Sequence, residues 1–281
     1  MENRQYGPIL LKIVTILLMG LYCLSSLGAL VWVVYTSFKS NTEFFSSTWA
    51  LPATLRLSNY AYAWENAEIG LYFFNTAYIS TLATCGSVML SAMVAYVLAR
   101  VVFPLRQFTF FLFLAALMVP AMLYIFPLFV QMRHMHLTNN HLGLLLLYIA
   151  MGLPFSVFVL TGFFRTLPTQ LEEAALIDGA SPWKTFWMIM LPLAKPGLIT
   201  VSIFNFINVW NEFFWSLVLL RSGKLYTMAR GLQTLFWNMS AESRWTELFA
   251  GLVIVMLPLV ILFIFLQDRI TEGLTVGALK G

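Results

Sequence analysis

Charge is what this sequence has least of. Asp, Glu, Lys and Arg make up 10% of its 281 residues, against roughly 25% in soluble domains, whose surfaces must face water. Hydrophobic residues make up 60% and the mean hydropathy is +0.82, so most of the surface must face lipid. Clustered basic charge is also missing. The net charge of +4 is spread along the chain with no Lys/Arg block to track a phosphate backbone, which argues against nucleic acid as a partner. Cysteine is nearly absent: Cys23 and Cys85 lie in apolar stretches without metal-ligand or redox spacing, and read as small core residues. A P-loop is lacking too, because Gly223-Lys224 is followed by Leu225 and has no upstream glycine at the required distance. Neither a nucleophile elbow, nor an HExxH motif, nor a pair of intramembrane carboxylates is present. These absences make the chain a poor candidate for an enzyme.

What is present is long uncharged runs. They lie between Lys12 and Lys39, Glu68 and Arg100, Arg106 and Arg133, and Glu247 and Asp268. Each supplies the ~20 apolar residues needed to cross a hydrocarbon layer about 30 Å thick. The expected fold is an all-α integral membrane protein with six transmembrane helices, at residues 13–35, 74–98, 108–130, 142–164, 197–220 and 248–266. Helices are expected because the runs are continuous, whereas barrel strands alternate. Pro120, Pro127, Pro154 and Pro258 fall within these spans and are expected to mark kinks. The first run is longer than the apolar core of a signal peptide, so it reads as a retained signal anchor.

With both termini inside, nine Lys/Arg fall on the inner side and seven on the outer. The bias is modest, and the basic residues before the first span, Arg4 and Lys12, favour this orientation. The whole of 1–281 is then one transmembrane domain, with outer loops at 36–73 and 221–247 and an inner tail at 267–281. His134, His136 and His141 share the segment 131–141, but at no recognised zinc spacing, and read as part of a solvated loop.

The longest inner interruption, residues 165–196, reads as two short helices. Thr169 and Glu172 have the spacing of a capping box, with Pro168 just before them. Leu171, Ala174 and Ala175 share a face, and Gly179 is placed to end the helix in a left-handed cap. Ser181 and Pro182 then restart the chain as N-cap and first helical residue. Trp183, Phe186, Trp187 and Met190 follow as an apolar stripe, and Leu191-Pro192 ends it. Such a pair could lie in lipid headgroups or dock on a partner.

Glu173-Ala174-Ala175, Asp178-Gly179-Ala180 and Leu191-Pro192 together resemble the EAA loop of ABC importer permeases. Trp210-Asn211-Glu212-Phe213-Phe214-Trp215 is similar to a segment of the maltose-type carbohydrate subgroup, and residues 272–281 resemble the tail of that subgroup's second permease. The resemblance implies a type I importer permease fold. It also implies residence in the cytoplasmic membrane of a prokaryote, and import of a sugar by alternating access. The implied partners are a second homologous permease, two ABC ATPase subunits and an extracytoplasmic solute-binding protein. ATP and Mg would be bound by the ATPases, so this chain itself needs no cofactor. It further implies that Glu173, Ala174, Ala175, Asp178, Gly179 and Pro182 form the coupling segment seated on an ATPase. A related importer for a polyamine, phosphate or amino acid, and more remotely a stand-alone secondary transporter, are the competing readings; an anionic cargo would ask for intramembrane basic residues that the spans lack.

Ser202, Asn205, Asn208 and Glu212 recur near one face of the fifth span, with Trp210 and Asn211 beside them. Amides and a carboxylate are costly in lipid and should face the bundle interior, a pore or a neighbouring subunit. Asn205, Asn208, Trp210, Asn211 and Glu212 are therefore candidates for lining a sugar path, the alternative being interhelical hydrogen bonding that holds two subunits together.

Overall fold

A computed structural model describes the backbone of residues 6–278 and the side chains of residues 11–265. Among the described residues the chain is helical, with no strand. Helix α1 (Tyr6–Thr36) is followed by two short helices, α2 (Asn41–Ser46) and α3 (Ser58–Glu65), and by the long α4 (Ile69–Arg100). Next come α5 (Arg106–Met118), α6 (Ile125–His134) and α7 (His141–Thr166). The segment expected inside then carries α8 (Gln170–Ile177), α9 (Pro182–Thr185) and α10 (Leu191–Leu193). Finally come α11 (Lys195–Trp210), α12 (Phe214–Leu219), α13 (Met228–Ala241) and α14 (Trp245–Ala278).

Four helical stretches, in α1, α4, α7 and α14, are long and apolar enough to cross a membrane, matching the first, second, fourth and sixth expected spans. The third expected span is broken. Pro120, with ψ 131°, ends α5, a 3₁₀ turn Ala121–Leu123 follows, and α6 begins anew. Proline has no N–H to give, so the helical ladder stops there; Pro127, in the first turn of α6, removes only a donor that is free anyway. The fifth expected span is also interrupted: α11 ends at Trp210, and α12 starts four residues later. Pro154 and Pro258, in contrast, lie within continuous helices.

The chain divides into two units, Met1–Gly70 with Leu232–Leu257, and Leu71–Gly231 with Pro258–Gly281. In the first, α1 leaves almost its whole apolar surface exposed, and Trp32 near its end packs edge-on against Phe249 of α14 at 5.1 Å. Lys39 is buried and donates to the carbonyls of Ser47 and Thr48, while Ser40 and Glu43 form a reciprocal capping box on α2.

The second unit is built on α4 and α7. Two apolar clusters lie along them. One joins Ile79 and Ala83 to Leu144, Leu147 and Tyr148; the other joins Val88, Ala92 and Ala95 to Leu160 and Phe164. Early residues of α4 meet early residues of α7 and late meet late, so the two helices run parallel. Helix α11 is antiparallel to α7, because Asn205 meets Ser156 while Gly197, earlier in α11, closes on Phe163, later in α7. At Gly152, α4, α7 and α11 are closely packed: a Cβ there would stand 2.3 Å from Ser87 Oγ and 2.8 Å from Asn205 Oδ1. Cys23 and Cys85 are exposed, so neither is the core residue that its apolar neighbours suggested. In a membrane helix an apolar sequence is compatible with a lipid-facing position.

Candidate functional site

The parallel arrangement of α4 and α7 brings the last turns of both helices together, and the segment 165–196 begins there. Arg100, the last residue of α4, donates from Nη2 to the carbonyl of Leu167, and its Nε stands 3.2 Å from Glu172 Oε2 as an ion pair without hydrogen-bond alignment. Tyr96, one turn earlier, donates to Glu172 Oε1 at 2.8 Å. The expected capping box at Thr169 and Glu172 does not form: Thr169 has helical backbone angles and makes no side-chain cap bond. A guanidinium and a phenol hold the carboxylate instead, the first as an ion pair and the second by a charge-assisted hydrogen bond, roughly twice as strong as a neutral one.

Helix α8 ends as its sequence predicts. Gly179 has φ 76°, Gly179 N–H donates to Leu176 O at 3.1 Å, and Ala180 N–H donates to Ala175 O at 2.9 Å. This is a Schellman cap. It turns the chain sharply into Ser181, whose hydroxyl accepts from Lys184 N–H, with Pro182 in the first helical position. Glu173, Ala174, Asp178, Gly179 and Pro182 are all exposed, whereas Ala175 is only 4% exposed. Leu176, Ile177 and Trp183 are exposed beside them, Ile177 at 86%.

After α9 the helix widens into a π turn, Phe186–Met190, in which Leu191 N–H reaches back to Phe186 O. Pro192, just past this turn, has no N–H to donate into the helical ladder. The apolar stripe splits accordingly: Phe186 and Met190 are buried, Phe186 between Tyr96 and Phe164, Trp187 is half-buried, and Trp183 is exposed. Leu191-Pro192 does not end the helix, which continues through α10 and turns by 74° into α11.

The polar residues of the fifth span separate into two groups. Asn205 is buried and donates to Ser156 Oγ at 2.7 Å. Trp210 is buried, stacked on Phe206 and edge-on to Phe73. Glu212 lies past the end of α11, where Oε1 accepts from Trp215 N–H at 2.8 Å and Oε2 accepts from Tyr148 Oη at 2.5 Å and Ser216 N–H at 3.3 Å. It thus caps the otherwise uncapped α12. Asn208 and Asn211 are exposed, and Asn211 donates to Ile207 O in its own helix. The histidines also separate. His141 begins α7, where Tyr78 bonds to its Nδ1 and its Nε2 contacts Leu225 O, so it belongs to the fold and not to a solvated loop. Glu172, Tyr96 and Arg100 were not singled out by sequence reasoning as one cluster. The signal was an arginine closing an apolar run of a full span's length, with an acidic residue soon after the next parallel span.

The family described as "Binding-protein-dependent transport system inner membrane component" matches residues 87–276. The chain is 39% identical over 251 residues to the diacetylchitobiose uptake system permease protein NgcG of Streptomyces coelicolor, covering 89% of this chain and 83% of that protein. It is 37% identical over 287 residues to the arabinooligosaccharides transport system permease protein AraQ of Halalkalibacterium halodurans, covering 99% and 100%. A chain from the crystal structure of a bacterial ABC transporter that imports the acidic polysaccharide alginate superposes with a TM-score of 0.81 at 23% identity, covering 95% and 98%, which shows the fold. On these matches the chain is a multi-pass membrane protein that belongs to the family of inner-membrane components of binding-protein-dependent transport systems.

Proposed function

We propose that the chain is a permease subunit of an ATP-binding-cassette importer that carries a mono- or oligosaccharide across the cytoplasmic membrane by alternating access. The sugar class follows from its relatives, which are named for diacetylchitobiose, arabinooligosaccharides and trehalose uptake. Its partners are a second homologous permease, two ATPases that bind ATP and Mg, and an external solute-binding protein. Six crossings fit the geometry. The parallel arrangement of α4 and α7 supports a recrossing between them, for which α5 with α6 is the span we propose; α11 with α12 is the other. Both termini then lie in the cytoplasm, together with residues 165–196. The tail reading at 267–281 concerns side chains outside the described residues and rests on the resemblance alone.

The observation that carries this reading is the exposed turn between α8 and α9. Gly179 bends it, the Arg100–Glu172 pair ties its base to α4, and Phe186 and Met190 root it in the core. A rigid base with an exposed apolar and acidic tip is what a lever seated on an ATPase requires. In this assignment Glu173 pairs with a basic ATPase residue, Ala174, Gly179 and Pro182 permit close approach, Asp178 lies at the rim, and Ala175 seats the helix. The test is the Glu173→Lys variant assembled with its partners in vesicles. Membrane insertion should be normal and binding-protein-stimulated ATP hydrolysis lost; full stimulation would overturn the coupling assignment.

A further inference from the structure

Beside the coupling segment lies a cavity of about 560 Å³, lined by Arg106, Arg165, Gln107, Leu105 and the rings of Phe103, Phe110 and Phe111. No Asp or Glu lines it. Arg106 is half-buried and spends Nε and Nη2 on the carbonyls of Leu98 and Ala99 at 2.7 and 2.9 Å. This fixes the guanidinium while its charge remains uncompensated. Arg165 is exposed, with its guanidinium over the Phe110 ring at 5.3 Å from the centroid. Among the described residues neither arginine is in an ion pair. Two uncompensated guanidinium groups facing one cavity repel each other, and a bound anion relieves that repulsion. Arginine is also suited to phosphate, because its planar fork can give two parallel hydrogen bonds.

The position of the cavity selects the kind of phosphate. Arg165 is in the last turn of a membrane-length helix, and Arg106 follows the end of another, so the cavity lies where hydrocarbon gives way to headgroups. From Arg106, α5 continues into apolar surface with Phe108, Phe111 and Leu112 each more than half exposed. A soluble anion would leave that surface unused, whereas a lipid would place its phosphate in the cavity and its acyl chains along α5. The geometry points to a binding site for the headgroup phosphate of an anionic phospholipid, held by Arg106 and Arg165. Basic pockets between transmembrane helices are suited to such headgroups.

The site is independent of the transport reading and is tested without partners. The full-length chain, delipidated in neutral detergent, is titrated separately with phosphatidylglycerol and phosphatidylcholine, and bound lipid is counted by native mass spectrometry. Phosphatidylglycerol should bind more tightly, and Arg165→Gln should weaken it about fivefold while leaving phosphatidylcholine unchanged. Arg165 is exposed and among the described residues its guanidinium has no hydrogen bond or ion pair, only the contact with the Phe110 ring, so the variant should leave the fold intact, whereas Arg106→Gln also removes two bonds to α4 and serves only as a second variant. Equal binding of the two lipids by the unmodified chain, or unchanged phosphatidylglycerol affinity in Arg165→Gln, would overturn the site. Displacement of phosphatidylglycerol by an equal concentration of inorganic phosphate would overturn its assignment to lipid.

Discussion

Arg100 Nε and Glu172 Oε2 stand 3.2 Å apart, the first on the last residue of α4 and the second in the first turn of α8, with both side chains largely shielded from solvent. The pair links a membrane-length helix to the segment proposed to meet the ATPase. Glu172→Gln keeps an acceptor for Tyr96 Oη but removes the charge facing Arg100. The Tyr96 bond loses its charge assistance and the shielded ion pair is lost with it, together about 1.5–3 kcal/mol, and the loss should appear locally, because Phe186 and Met190 still hold the following turn. Amide exchange in α8 should accelerate about tenfold or more, with α7 unchanged. Equal exchange rates in the two proteins would show that the ion pair does not hold the loop.

Gly179 isolates a backbone effect. A Cβ added there would meet nothing within 4 Å, yet φ is 76°, so Gly179→Ala introduces left-handed strain without a clash. That strain costs roughly 1–2 kcal/mol. Gly179→Pro cannot adopt the angle at all, because the ring holds φ near −65°. The alanine variant should lose part of the binding-protein-stimulated ATP hydrolysis and the proline variant all of it, with normal membrane insertion in both. If the proline variant coupled normally, the shape of the cap would be irrelevant to function.

At Gly152 the opposite holds, since the backbone is ordinary helix and the space is full. Gly152→Ala drives a methyl into Ser87 Oγ and Asn205 Oδ1, and overpacking of this kind costs about 1–3 kcal/mol. Thermal unfolding in detergent should shift down, and adding Ser87→Ala should recover part of the loss. Recovery can only be partial, because Ser87 Cβ would itself be 3.0 Å away. An unchanged unfolding temperature in the single variant would mean that the three helices are not held this closely.

Much of this was legible in the sequence, for identifiable reasons. Lipid requires apolar residues along the whole length of a span, so α1, α4, α7 and α14 stand out from composition alone. Gly179, Ser181 and Pro182 were readable because capping depends on backbone chemistry that a few residues determine. Pro120 was readable as a kink but not as a full break, and the break after Trp210 was not readable, since apolar content does not report helix continuity. Glu172 was misassigned because the capping-box spacing is local, while its actual partners, Tyr96 and Arg100, lie more than seventy residues earlier. Glu212 was legible as a costly polar group, but its acceptor role toward α12 depends on a chain reversal that no periodicity announces.

Glu43 gives a prediction about pH outside the membrane spans. Its carboxyl titrates below the ordinary value, chiefly because it accepts the Ser40 backbone N–H, and secondarily because it accepts the Ser40 hydroxyl. A carboxylate whose folded pKa is depressed adds stability that is present above its unfolded pKa and lost as pH falls through the folded one. The α2 cap should therefore be intact at neutral pH and open only below the usual carboxylate range. Carboxyl NMR of Glu43 should give a low midpoint that rises in Ser40→Ala; an ordinary midpoint in the unmodified chain would contradict the cap.

Glu212 tests whether an intramembrane carboxylate serves the cargo or the fold. All its described bonds are internal: Trp215 N–H and Ser216 N–H from α12, and Tyr148 Oη from α7. Glu212→Ala removes the acceptor for two helix N–H groups and for a buried phenol, and each orphaned buried donor costs about 1–3 kcal/mol. Tyr148→Phe removes one of those bonds and leaves the helix cap. If Glu212 holds the fold, thermal stability should fall strongly in the alanine variant and mildly in the phenylalanine variant, while the variants that still assemble keep an unchanged apparent affinity for the sugar. A lowered affinity with full stability in Glu212→Ala would instead place the carboxylate on the transport path. The two outcomes differ in which quantity moves, so one pair of measurements on each variant separates them.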